Sequence, residues 1–223
     1  MPFNCTVKDF GCTSFAQVYE YQKQCVKRSW EEKLNFLLLG EHWPIITAGR
    51  LAKSNSLLIC ESYLKERAID YMAIDRGGDL TMHAPGQLIL YPIFQLNDFG
   101  RDIHAFLHNL EQVVIDLLND FDILAHRFEG RTGVFWHNQK LASIGIGVKK
   151  WISYHGIGLN VNTDLSLFSF IKPCGLNIQM TSMACIKSTP IAMEDVKQTA
   201  LKQFKKTFRL SFQDEKDRGS RVG

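Results

Sequence analysis

Residues 133–162 read GVFWHNQKLASIGIGVKKWISYHGIGLNVN. Apolar side chains recur at alternate positions, Ile144, Ile146 and Val148 and then, with His155, Ile157, Leu159 and Val161. That period predicts strands at 140–148 and 151–162, after a shorter strand at 133–136. Glycines fill the intervening positions, Gly145 and Gly147, then Gly156 and Gly158. If the turn through Lys149-Lys150 has an even number of residues, all four glycines share one face. Glycine inside a strand marks close approach by a ligand or another backbone. Two glycines two apart clear roughly 7 Å of strand, a narrow slot suited to an extended aliphatic chain. Burying about six methylenes there would contribute on the order of 5 kcal/mol. Tight packing against a neighbouring element is the other reading of the same glycines.

Working outward, residues 13–33 predict a helix capped by Thr13 or Ser14, with Phe15, Val18, Cys25, Val26 and Trp30 as its apolar stripe. An apolar strand at Phe36–Leu39 turns through Gly40–Pro44 and returns as Ile45–Thr47. Strands follow at 71–75 and 88–94. The clearest helix is 103–118, where Phe106, Leu110, Val113, Val114 and Leu117 keep helical spacing and Asp102 caps. A strand at 123–127 precedes the glycine-bearing pair. A last helix is expected from Thr189-Pro190 to about 208, by the usual placement of Pro in a first helical turn. No repeat or linker divides the chain, so residues 1–210 form a single domain and 211–223 a disordered tail. Helices bracketing hairpin-connected strands indicate an α+β fold with mixed or antiparallel sheets.

The 223 residues are 45% apolar and 22% charged, within the soluble globular range. The longest apolar run, Phe36–Leu39, is too short for a membrane span. The opening MPFNCTVKDF has no secretory apolar core, so a cytoplasmic setting and reduced, mostly buried cysteines are expected. A net charge of +3 argues against nucleic acid. From Lys197 onward, however, eight Lys/Arg face three Asp/Glu, which suits either an acidic partner or a solvated helix face. No Gly precedes a Lys, and neither G-x-G-x-x-G nor G-x-S-x-G occurs, so phosphate-loop, dinucleotide and serine-elbow chemistries lose ground. His104 and His108 sit four apart on a polar helix face and read as surface residues.

Two further stretches are unusual. Arg76-Gly77-Gly78-Asp79-Leu80-Thr81-Met82-His83-Ala84-Pro85-Gly86-Gln87 joins two strands. Its paired glycines can bring backbone N–H groups close to a carbonyl, carboxyl or phosphate guest, beside the donors of Arg76 and His83. In Lys172-Pro173-Cys174-Gly175, the cysteine alone among six is framed by Pro and Gly. An ordinary thiol is only ~3% thiolate at neutral pH, and a nearby ammonium raises that fraction. Spacing alone leaves Cys174 either a nucleophile or a plain loop cysteine, and Lys140 one of several lysines available to serve it.

Read together, LLLGEHWPIITAGR (37–50), RGGDLTMHAPGQLILYP (76–92), GVFWHNQKLASIGIGVKKWISYHGIGLNVNTDL (133–165), IKPCGL (171–176) and MTSM (180–183) resemble the lipoyl(octanoyl)transferase, or lipoate-protein ligase B, family. The resemblance spans about residues 35–185. Asp79 stands where the family usually has Gln, and Ala84 where it has Gly.

The resemblance implies a biotin/lipoate ligase-like α+β fold and transfer of an octanoyl group to a lysine of a lipoyl domain. Cys174 would be the acyl-thioester nucleophile, with Lys140 lowering its pKa and then acting as general acid and base. The acyl pocket would be lined by Arg76, Gly77, Gly78, Asp79, Leu80, Thr81, Met82 and His83, by Ser143, Ile144 and Gly145, and by Gly156, Ile157 and Gly158. No cofactor or metal is implied, because the octanoyl group arrives on the phosphopantetheine of acyl carrier protein. The acceptors would be lipoyl domains of 2-oxoacid dehydrogenase E2 subunits and the glycine cleavage H protein, with neither nucleic acid nor membrane involved. An ATP-dependent lipoate ligase on the same fold, a thioesterase using Cys174 with His83 or His155, and a non-catalytic acyl-binding module are the competing readings.

Overall fold

The computed structural model describes residues 1–53, 55–172 and 178–214; Cys174 and the tail beyond 214 lie outside them. The chain runs β1 (Phe3–Thr13), α1 (Phe15–Glu32), β2 (Asn35–His42), β3 (Ile45–Ala48), α2 (Glu61–Glu66), β4 (Asp70–Ala73), β5 (Leu80–His83) and β6 (Gln87–Ile93). It continues with α3 (Ile103–Asn119), β7 (His126–Phe128), β8 (Arg131–Trp136), β9 (Gln139–Lys149), β10 (Ile152–Asn160), α4 (Met183–Lys187), α5 (Met193–Phe208) and β11 (Leu210–Asp214). Eight strands form one mixed sheet in the order β11-β1-β2-β6-β10-β9-β8-β7, and β4-β3-β5 form a second, smaller one. Among the described residues no helix is long and apolar enough to cross a membrane.

Burial on both faces explains the apolar runs Phe36–Leu39 of β2 and Leu88–Ile93 of β6. Phe36, Leu38, Ile89, Tyr91 and Ile93 pack with Phe15, Val18 and Cys25 of α1. Leu37, Leu39, Leu88 and Leu90 turn the other way, into the core with Phe106, Leu110 and Val114 of α3 and Phe204 and Phe208 of α5. Ser14 caps α1 through Gln17 N–H, and Asp102 caps α3 through the N–H groups of His104 and Ala105.

Several expectations are corrected. Residues 36–47 are no hairpin: β2 is flanked by β1 and β6, so neither edge is open and β3 joins the small sheet. The glycine-rich 76–87 stretch contains strand β5, paired antiparallel with β3. Helix α5 starts at Met193, not at Pro190, because the Asn162 side chain bonds both the N–H (2.9 Å) and C=O (2.7 Å) of Ile191 and keeps that approach extended. Residues 210–214 are a strand paired with β1, where a disordered tail was expected from 211 onward. Trp30 is 44% exposed, with Lys33 and Lys150 over its ring. Of the five described cysteines only Cys5 and Cys25 are buried. The basic character of α5 is partly offset, since Lys206 pairs with Asp116 of α3 (3.2 Å) and Lys202 with Asp120 just past the end of that helix (2.9 Å).

Strand β6 lies mid-sheet yet contains Pro92, which has no N–H for the ladder. Ser153, fully buried on β10, repairs the break: its hydroxyl donates to Pro92 O (2.7 Å) and accepts from Phe94 N–H (3.0 Å). Ser153→Ala would leave both backbone groups buried and unsatisfied. It should cost about 1–3 kcal/mol in urea unfolding; a change under about 0.5 kcal/mol would show that the hydroxyl is dispensable.

Candidate active site

The β9–β10 hairpin turns through Lys150 and Trp151, both at positive φ (52° and 60°), between the paired residues Lys149 and Ile152. Two turn residues place the four glycines on one face: Gly145 lies opposite Gly156, Gly147 opposite Tyr154, and Gly158 opposite Ser143. The protein's own groups fill much of the space they leave. A Cβ on Gly145 would lie 2.9 Å from Gly77 O, one on Gly147 2.4 Å from the Tyr154 ring, and one on Gly156 2.2 Å from Leu90 O. Close packing therefore accounts for these glycines first, and Gly145, Gly156 and Gly158 border a cavity as well.

That cavity holds about 390 Å³. Arg76, Gly77, Gly78, Asp79, Leu80, Thr81 and His83 wall one side, and Ser143, Ile144, Gly145, Gly156, Ile157 and Gly158 the other, with Lys140 in the same wall. Every described candidate is brought together here except Met82, which is fully buried beneath the small sheet with Ile46, Leu64 and Phe168. Strand alternation explains it, since Thr81 and His83 face the cavity and Met82 points away. Leu51, Tyr91, Thr132 and Ile178 also line the cavity and were not expected from sequence.

Loop 76–79 is clasped from both sides. Arg50 N–H donates to Arg76 O (3.0 Å), Leu51 N–H to Gly78 O (3.0 Å) and Gly49 N–H to Asp79 O (3.2 Å). On the opposite side Gly77 N–H donates to Ile146 O (2.9 Å). The Arg76 guanidinium is buried, with Nη2 2.7 Å from Thr47 O and Nη1 2.9 Å from Gly77 O. Asp79 accepts from Leu80 N–H and from Ser56 Oγ (both 2.8 Å), tying the loop to the segment before α2.

His155 is placed differently from the alternation. At φ 57° it leaves the opposite face and stacks on Phe15 and Tyr19 beside the cavity. The β6–β10 register ends at Ile157, and beyond it the His155 N–H donates to Gln22 Oε1 (2.8 Å). Its Nε2 donates to Asp75 Oδ1 (3.3 Å), a carboxylate that also accepts from the Tyr19 and Tyr154 hydroxyls. Burial opposes the charge on Asp75, but those three hydrogen bonds hold its pKa below the ordinary value.

Three buried imidazoles surround Phe15. His42 donates from Nδ1 to Thr13 O (3.0 Å) and accepts at Nε2 from the Tyr91 hydroxyl (2.9 Å). His83 donates from Nδ1 to Gln87 Oε1 (2.7 Å). Burial lowers all three, His83 to about 3 and His42 and His155 to about 4, so each is neutral near pH 7.

Lys140 leads β9. Its N–H donates to Gln179 O (2.8 Å) and its C=O accepts from Thr181 N–H (3.0 Å), laying the segment just after 173–177 along the strand. Asn160 links Thr181 O (3.0 Å) to Gln87 (2.9 Å), which in turn holds His83. The Lys140 ammonium donates to Thr132 O (3.0 Å). The cavity thus combines apolar walls and neutral imidazoles with a guanidinium and an ammonium, suiting an aliphatic chain that ends in a polarised carbonyl.

Comparison with known proteins agrees. The family model of the lipoyl protein ligase A/B catalytic domain matches residues 15–205. An octanoyltransferase of Solibacter usitatus is 38% identical over 206 residues, covering 92% of this chain and 93% of its own. A lipoate-protein ligase A solved with ATP bound superposes with a TM-score of 0.79 at 15% identity, over 96% of this chain and 89% of its own. The biotin protein ligase of Aquifex aeolicus gives 0.54 at 14% identity, over 94% and 70%. The last two likenesses concern the fold alone.

The neutral histidines have a consequence for stability. Unfolded, each titrates near 6.5, so between pH 6.5 and 4 the unfolded chain binds more protons than the folded one. Stability must therefore fall as pH is lowered through that window, by up to about 1.4 kcal/mol per pH unit for each ring. Urea midpoints measured from pH 7.5 down to 5 should drop steadily; a flat profile would mean that the rings are not buried and neutral.

Proposed function

This chain belongs to the lipoyl protein ligase A/B catalytic-domain family and is an octanoyltransferase of protein lipoylation, and from that premise we propose that it works through a thioester on Cys174. The observation that carries the reading is the composition of the cavity wall: the 76–83 segment, the glycine hairpin, Lys140 and Ile178 all meet there. Cys174 lies outside the described residues, and its flanks support the assignment. Lys172 N–H is held by Ser56 O (2.8 Å), and the Ser56 hydroxyl holds Asp79 of the cavity wall. Ile178, four positions after Cys174, lines the cavity itself.

In this reading the donor is octanoyl phosphopantetheine on acyl carrier protein. The Cys174 thiolate attacks the donor's carbonyl carbon, the bond from that carbon to the phosphopantetheine sulfur breaks, and the departing thiolate takes a proton from Lys140. An octanoyl thioester then sits on Cys174 with its chain in the cavity. The amine of the acceptor lysine attacks the same carbon, Cys174 leaves as thiolate, and Lys140 receives the amine's proton. Exchange between thioesters is nearly isoenergetic and amide formation runs downhill, so the reading requires no nucleotide. The acceptors are lipoyl-domain proteins, specifically those of 2-oxoacid dehydrogenase E2 subunits and the H protein.

The test is the intact mass of the protein after incubation with octanoyl-acyl carrier protein without ATP. One hydroxylamine-labile octanoyl adduct is expected, absent from Cys174→Ala and passed on to an apo lipoyl domain. Lys140→Ala should slow acylation by about 10²–10⁴-fold. Free octanoate without an adduct would instead favour a thioesterase using His83 or His155. Activity only with ATP and a free acid would favour a ligase.

A further inference from the structure

Helix α3 faces the core with Leu110, Val113, Val114 and Leu117, yet Glu111 is only 8% exposed among them. One carboxylate oxygen accepts from Arg127 Nε (3.1 Å), and Arg127 is itself anchored by Nη2 to Gln112 Oε1 (2.9 Å) and His108 O (3.0 Å). The other oxygen accepts from Gly133 N–H (3.0 Å). That N–H shares a peptide unit with the Thr132 carbonyl, which accepts from the Lys140 ammonium (3.0 Å). A trans peptide is planar, with its N–H and C=O pointing in opposite directions, so holding one end aims the other.

Gly133 completes the device. It is buried at φ 128°, where the β8–β9 register slips between Val134 and Phe135. A Cβ there would meet Lys140 Cε at 2.7 Å and Ala142 O at 2.6 Å, so the lysine side chain runs directly over the bare Cα. Without a Cβ, Gly133 can hold this backbone geometry, and the Glu111 carboxylate and Lys140 ammonium bond the two ends of its peptide.

We propose that Glu111 is a positioning residue for acyl transfer, setting the place of the Lys140 ammonium through the Thr132–Gly133 peptide. The proposal rests on the reading of Lys140 as the proton-transfer partner of Cys174. Two substitutions separate reach from charge. Glu111→Asp keeps the charge for Arg127 but withdraws the carboxylate by one methylene from Gly133 N–H, whereas Glu111→Gln keeps the reach and loses the charge.

The readouts are kcat and KM with octanoyl-acyl carrier protein, and the pH profile of Cys174 alkylation by iodoacetamide. Peptide mass separates Cys174 from the exposed Cys12, Cys60 and Cys185. Glu111→Asp should lower kcat about tenfold or more at nearly unchanged KM and move the alkylation midpoint up by about one pH unit, while Glu111→Gln stays close to the parent. The reverse order, equal impairment of both, no impairment of either, or loss of the folded state in Glu111→Asp would overturn the proposal. Lys140→Ala runs beside them. If it leaves the alkylation profile unmoved, the reading of Lys140 itself fails; if it moves the profile and Glu111→Asp does not, only the positioning role falls.

Discussion

The backbone of residues 76–79 lies between two other backbones with almost no side chain intervening. On one side are the amides of Gly49, Arg50 and Leu51, and on the other is the carbonyl of Ile146. A Cβ on Gly49 would stand 2.3 Å from Gly78 O, and one on Gly145 would stand 2.9 Å from Gly77 O. This double clasp connects the small sheet to the large one where the cavity opens. It also fixes Arg76, whose guanidinium reaches back to Thr47 of β3. Were the loop to lift away, the cavity would lose a wall and the guanidinium its anchor together.

The polarity of the cavity follows from this arrangement. Apolar residues on β5, β9 and β10 form its sides, and the imidazoles that line it are kept neutral by burial, His83 most strongly. A neutral ring costs far less to bury than a cation and still supplies one donor and one acceptor. Hydrogen bonds to Thr13, Gln87 and Asp75 fix the tautomers of His42, His83 and His155 respectively. Two cationic groups of its wall, Arg76 and Lys140, hold the backbone carbonyls of Thr47 and Thr132, so preorganisation comes from main-chain dipoles that the sheets already hold in place.

Much of this was legible in the sequence where local pattern and tertiary outcome agree. The alternating glycines predicted a shared face, and the two-residue turn at Lys150-Trp151 delivers it. Helices α1 and α3 and their caps follow their apolar periods. Legibility failed where partners are distant. Residues 36–47 look like a hairpin until β1 and β6 occupy both edges of β2. Strand β5 is hidden between Gly78 and Pro85, whose turn signals mask four extended residues. His155 breaks its alternation at φ 57°, beyond the end of the β6–β10 pairing, where its N–H turns to Gln22 of α1, far away in sequence. Gly49, Glu111 and Gly133 carry no local signature, since their roles arise only when α3, β3 and β9 come together. The roles proposed for Cys174 and Lys140 rest on the resemblance to a family, since spacing alone left them open.

In the proposed function the acyl chain lies between the 76–79 loop and the glycine hairpin while Lys140 serves the thioester. The most direct measurement is a crystal structure of the protein trapped with its octanoyl group attached. Density is expected for the chain running from Cys174 into the cavity between Gly77-Gly78 and Gly145, Gly156 and Gly158, with the Lys140 ammonium within hydrogen-bonding reach of the thioester. An acyl group attached elsewhere, or a chain lying outside this cavity with Lys140 remote from the carbonyl, would contradict it.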